Sequence, residues 1–140
     1  MMKPIVVINP NSNEVVTSGL DKELEVYRLS GGPKIICVTN SNGPFGIESK
    51  LDSESVIPDI FQQIKNNNDA GAYVIACYSD PGVEALRDAI KTPIYGIAES
   101  GILTALSHGK RFGVIAISEG SISRHRDHIK RMGVISRLAN

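Results

Sequence analysis

A chain of 140 residues, 41% apolar and 21% charged, is long enough for one compact domain with a real hydrophobic core. Fifteen basic residues balance fifteen acidic ones, which argues against a nucleic-acid partner. Apolar runs such as residues 5–8 are too short to span a bilayer, and the opening Met-Met-Lys-Pro leads into a strand pattern rather than a signal peptide.

Residues 4–8 form a buried strand closed by the polar loop Asn9-Pro10-Asn11-Ser12. Ser12 or Asn13 can cap a helix with Val15, Val16 and Leu20 on its inner face. A second buried strand, residues 34–39 (KIICVT), runs into the Gly- and Pro-containing loop 40–50. Asp52 or Ser53 opens a helix with Val56, Ile57, Ile60, Phe61 and Ile64 on one face. Residues 71–77 (GAYVIAC) read as the third strand. Asp80 then caps a helix with Pro81 in its first position. A short fourth strand (93–97), a helix (99–106), a fifth strand (111–117, RFGVIAI) and a basic helix (121–132) closed by Gly133 complete the chain. Strands alternating with helices predict an α/β fold: a three-layer, mainly parallel, flavodoxin-like sheet with helices on both faces.

Ligands of such sheets sit beyond the carboxyl ends of the strands. Three strand ends carry polar chemistry: residues 9–12, 40–49 and 77–80. Cys77 ends a strand just before a helix start, where free amides and the helix dipole favour a thiolate. Its position alone fits a small core hydrophobe equally well. Ser79 and the Tyr78 and Ser79 amides can hold a carboxylate or an imide oxygen. Asn9, Asn11 and Ser12 add neutral donors and acceptors. Cys37, mid-strand between apolar neighbours, reads as core. The two cysteines form neither a disulfide framework nor a metal-type pair, so a cytoplasmic, reducing setting is expected. No glycine-rich phosphate loop or nucleophile elbow is present. His125 and His128, among Arg124, Arg126, Lys130 and Arg131, read as a solvated basic face, with no metal site expected. Glu99-Ser100-Gly101 either lines the cleft or simply begins a helix.

The segments VINPNSN (7–13) with Thr17, GPFGIES (43–49), ACYSDPGVEALR (76–87), PIYGIAES (93–100) and GKRFGVIAIS (109–118) resemble the hydantoin racemase branch of the aspartate/glutamate racemase superfamily. They run along almost the whole chain in order, and Cys-x-Ser-Asp-Pro-Gly is the most specific. The resemblance implies two similar lobes flanking a cleft, each supplying one cysteine for proton transfer, with no cofactor and no metal. It makes Cys77 the first-lobe thiol and puts Asn9, Asn11, Tyr78 and Ser79 at the substrate, a hydantoin or related amino-acid derivative. Gly43, Gly46 and Ser49 fall in the rim loop. It divides the chain into a first lobe, 1–110, and the first strand and helix of an incomplete second lobe, 111–140. The chain is shorter than the family and lacks the second thiol, so it is expected not to racemise alone. Exposed apolar surface left by the missing lobe would favour a homo-oligomer. A decarboxylase or cis-trans isomerase of the same superfamily, a non-catalytic binding module, and a plain flavodoxin-like domain are the competing readings.

Overall fold

The computed structural model describes residues 2–139. Four parallel strands, β1 (Ile5–Asn9), β2 (Ile35–Thr39), β3 (Ala72–Ile75) and β4 (Ile94–Gly96), lie in the order β2-β1-β3-β4. All four were legible as short contiguous apolar runs, the signature of strands buried in a parallel sheet. One sheet face, carrying Val6, Ile8, Tyr73, Ile75 and Ile94, packs on helices α3 (Ile57–Asn66) and α4 (Val83–Ala89) through Val56, Ile60, Ile64, Val83 and Leu86. The Tyr73 hydroxyl is buried there and reaches the Ile64 and Asn67 carbonyls at 3.2 and 2.8 Å.

Helix α1 (Glu14–Glu23) lies against β2 on the other face, and Asn13 caps it by accepting from the Val15 amide. Its inward side keeps the expected Leu20 but not the two valines. Val15 is 78% exposed, and no residue of α1 is fully buried. Asn13, Thr17, Leu20 and Leu24, at helical spacing, are the half-buried set instead. A polar anchor decides the rotation: the Thr17 hydroxyl bonds Asn9 at 3.1 Å and Thr39 at 2.6 Å.

Helix α2 (Lys50–Ser55) starts earlier than expected, because Ser49 caps it in a reciprocal box with Asp52. Pro58 sits in the first turn of α3, where its missing N–H costs nothing, and marks the break between the two helices. Helix α4 also differs from expectation. It begins at Val83, after left-handed Asp80 (φ 46°) and Gly82 (φ 71°), so Cys77 does not sit at a helix start.

The expected fifth strand does not join the sheet. After α5 (Ile97–His108) the chain is extended, but among the described residues its one bridge is Phe112 to Leu138. Ile115 and Ile117 are each 98% exposed. The apolar run of residues 114–117 fits a strand, but the segment pairs with no strand of the sheet. Phe112 packs with Ile102 of α5 and Ile129 of α6 (Glu119–Arg131) in a second, smaller core. Among the described residues no helix is long and apolar enough to cross a membrane.

Candidate active site

From β1 the chain passes to one side of the sheet, to β2; from β3 it passes to the other, to β4. The carboxyl ends of β1 and β3 therefore flank the point where a parallel sheet opens a crevice. The loops meeting there hold Asn9, Asn11 and Ser12 on one side and Cys77, Tyr78 and Ser79 on the other.

Asn9 is fully buried. Its Nδ2 donates toward Asn11 Oδ1, the Asn13 carbonyl and Thr17 Oγ1, and its Oδ1 accepts from the Asn11 amide. Asn9 thus holds the loop in shape, and half-buried Asn11 and Ser12 present it. Ser12 N–H donates to the Pro44 carbonyl, joining this loop to the rim loop. Behind the junction lies Asn40, the first residue of the 40–49 strand end, in a structural role that its position alone does not announce. It is buried, and its Nδ2 donates to the Pro10 carbonyl at 3.0 Å and to Asp59 at 3.1 Å. An Asn that ends a strand and bonds an amide two residues on, here Asn42, was the available signal.

Gly43 is required by this staple. A Cβ there would sit 2.6 Å from the Pro10 carbonyl oxygen and 2.7 Å from Asn40 Nδ2. Gly43→Ala should cost about 1–3 kcal/mol, as overpacking does, read as a lowered melting temperature. A variant as stable as the parent would show that the rim loop gives way freely. Gly46 has only the Glu48 side chain nearby, and Ser49 serves as the α2 cap.

Cys77 is a free, half-buried thiol with Sγ 3.2 Å from Ser79 Oγ, which lies 3.4 Å from Ser53 Oγ of α2. Among the described residues the Tyr78 and Ser79 amides have no protein acceptor, which leaves two N–H donors beside the thiol. Cys37 is not its neighbour. It lies in the middle of the edge strand β2, in register with Val7 and half-buried, where burial and then Asp21 push its thiol up.

The sequence profile of the Asp/Glu/hydantoin racemase family matches residues 5–140. The chain belongs to this family. Hydantoin racemases from Pseudomonas sp. (strain NS671) and Paenarthrobacter aurescens are 33% and 29% identical to it, each over 97% of this chain, but over 55% and 58% of their own lengths. An allantoin racemase from Klebsiella pneumoniae superposes with a TM-score of 0.90 at 25% identity, covering 98% of this chain and 56% of that one. The chain therefore spans about half the length of the relatives it matches.

Two features of this racemase-family chain run against the sequence expectation. Asp80 does not cap α4. Its buried carboxylate reaches across to the first turn of α5, accepting from the Ala98 amide at 2.9 Å and the Glu99 amide at 2.7 Å. Glu99 in turn forms a two-pronged pair with Arg87 at 2.8 and 2.9 Å, tying α5 to α4. The basic helix α6 is only in part a solvated face: Arg126, Lys130 and Arg131 are exposed, while Arg124, His125 and His128 are half-buried. It folds over the Cys77–Asp80 loop: His125 meets the Tyr78 ring edge-on at 5.1 Å between centroids, and His128 Nε2 lies 3.3 Å from Asp80 Oδ2. A cleft of about 740 Å³ runs between α2, α4 and α6, past Ser53, Ser79, Glu99 and His128. Cys77, Asn9 and Asn11 do not line it; Ser79 is where it meets the thiol.

Burial, then the charges of Arg124 and His128, push the His125 imidazole below its ordinary value. An unfolded His125 takes up a proton at about pH 6.5, before the folded one does. Its contribution to stability is therefore complete above that pH and shrinks as pH falls below it. His125→Phe, which keeps an aromatic ring against Tyr78, should melt with a smaller decline between pH 7.5 and 5.5 than the parent. Equal declines would mean that His125 does not carry the dependence.

Proposed function

We propose that this chain is the thiol-bearing lobe of a cofactor-independent racemase acting on a hydantoin-like amino-acid derivative, with Cys77 as one of two acid/base groups. The arrangement of Cys77, Ser79 and unpaired amides at the β3 end, facing Asn11 and Ser12 at the β1 end, carries this reading. Inverting a carbon next to a carbonyl needs a base on one face of the planar intermediate and an acid on the other. A thiol, with an ordinary pKa of about 8.5, is close enough to neutrality for either task. Enolate charge on the carbonyl oxygen would be met by the Tyr78 and Ser79 amides and the Asn11 amide group. Asn9 acts behind them as a positioning residue.

Cys37, in register with Val7, cannot reach the opposite face of a substrate held at Cys77. The second thiol therefore comes from outside residues 1–140, and these residues alone do not racemise. Polarimetry on single enantiomers of a 5-substituted hydantoin panel tests this; loss of optical rotation faster than in buffer would overturn it. The exposed Ile115 and Ile117 favour self-association when nothing covers them, and the free thiols suit a reducing, cytoplasmic compartment. A single-thiol decarboxylation or cis-trans isomerisation is the second reading, favoured by the lone cysteine at this sheet edge and distinguished by its products.

A further inference from the structure

A second recess, of about 80 Å³, lies between α2 and α6 beside Ser79. Its walls carry Lys50, Arg124 and Arg131 together with His125 and His128, and among the described residues Asp127 is the one carboxylate lining it. The Ser53 and Ser79 hydroxyls also face it. That volume exceeds what a single water needs and has room for a carboxylate.

Two buried nitrogens give the recess its meaning. Among the described residues, Arg124 Nε and His128 Nε2 are the buried side-chain nitrogen or oxygen atoms without a hydrogen-bond partner. Such atoms are costly to leave unpaired, and native folds rarely do so. Arg124 spends one terminal nitrogen on the Glu48 carbonyl, which fixes the guanidinium against α2 and leaves Nε unused. His128 lies near Asp80, but that carboxylate already accepts from two α5 amides and gives the imidazole no directed bond. Among the described residues, Lys50 has only a loose contact with Glu54 at 3.7 Å, and exposed Arg131 has no ion pair. An excess of cationic donors thus converges on a polar recess two hydrogen-bond lengths from the Cys77 thiol, through Ser79 and Ser53.

We propose that this recess is an anion subsite, in which Arg124, Arg131 and Lys50, with the Ser53 and Ser79 hydroxyls, receive a carboxylate carried on the substrate's substituent. The inference rests on the racemase reading for the identity of the substrate, but not for the recess itself. It replaces the neutral cleft that the strand-end residues alone imply. Those residues include no Lys or Arg; Arg124 and Arg131 of α6, with Lys50 at the start of α2, supply the charge. The preferred substrate is then an acidic amino-acid derivative rather than one with an apolar substituent.

The experiment is a binding titration of the whole chain, by calorimetry or amide NMR shifts, with three probes: hydantoin-5-acetic acid, 5-methylhydantoin and succinate. Hydantoin-5-acetic acid should bind at least about tenfold more tightly than 5-methylhydantoin, the worth of one charge-assisted contact. Arg131→Gln and Lys50→Gln, both at exposed positions, should each erode that advantage, and Arg124→Gln should remove most of it. Melting curves check that each variant is folded, and the two exposed positions keep the test open if Arg124→Gln is not. Equal binding of the charged and neutral hydantoins, or an advantage untouched by all three substitutions, overturns the subsite. Succinate separates the two ideas. If it binds in an Arg124- and Arg131-dependent way while no hydantoin binds, the recess stands and the racemase reading fails.

Discussion

Asp80→Ala should lower the stability of the chain by about 3 kcal/mol, the loss of two charge-assisted hydrogen bonds whose donors are left buried. For a domain of this size that is roughly a 10 °C fall in melting temperature. The carboxylate caps a helix that begins 17 residues downstream, through the Ala98 and Glu99 amides. Asp80→Asn separates charge from shape. Asn tolerates the left-handed backbone at this position and keeps one acceptor, so it should retain part of the stability. Gly96→Ala attacks the same joint from the other side, since a Cβ there would sit 2.3 Å from the Asp80 carboxyl carbon. That distance cannot be absorbed, because two amides hold the carboxylate. Calorimetric melting of the three variants checks this. An Asp80→Ala chain as stable as the parent would remove Asp80 as the link between the Cys77 loop and α5.

The second large effect concerns chemistry. Cys77→Ser should reduce hydrogen exchange at the substrate's reacting carbon by about 10²–10⁴-fold, the usual contribution of a positioned base. The two side chains are nearly the same size, and a serine hydroxyl keeps the contact with Ser79 Oγ. Stability should therefore change little, and the loss should appear as chemistry rather than unfolding. Proton NMR of the substrate in D2O, with a melting curve of each protein, separates the two. Full exchange by a folded Cys77→Ser chain would return Cys77 to the status of a core thiol.

The parts of this molecule that were legible in the sequence are those set by local patterning. Strands β1 to β4 are buried in a parallel sheet, so each is a contiguous apolar run. The polar residues that end β1 and β3 mark the crevice, and the Cys-x-Ser-Asp-Pro-Gly segment names its family. The illegible parts depend on contacts far apart in the chain. Asp80 sits two residues before Gly82 and looks like a local cap, yet its partners are Ala98 and Glu99. Helix α6 has the composition of a solvated face, yet the small core of Ile102, Phe112 and Ile129 holds it over the thiol loop. Residues 111–117 contain a strand-like apolar run, but pairing requires a neighbouring strand, and their bridge is to Leu138 rather than to the sheet. On α1, Leu20 faces inward as its spacing implies, but Val15 and Val16 do not, because hydroxyl and amide bonds at Thr17 turn that helix.

A lone thiol base predicts a particular stereochemical outcome. With no acid on the opposite face, Cys77 can return a proton only to the face from which it took one. The most direct measurement is to incubate residues 1–140 in D2O with each pure enantiomer of hydantoin-5-acetic acid, and to follow deuterium incorporation and optical rotation together. Exchange above the buffer rate is expected in one enantiomer, with retained configuration, and it should be lost in Cys77→Ser. Inversion by the chain alone, or exchange that is absent or survives in Cys77→Ser, would contradict a lone thiol base at Cys77.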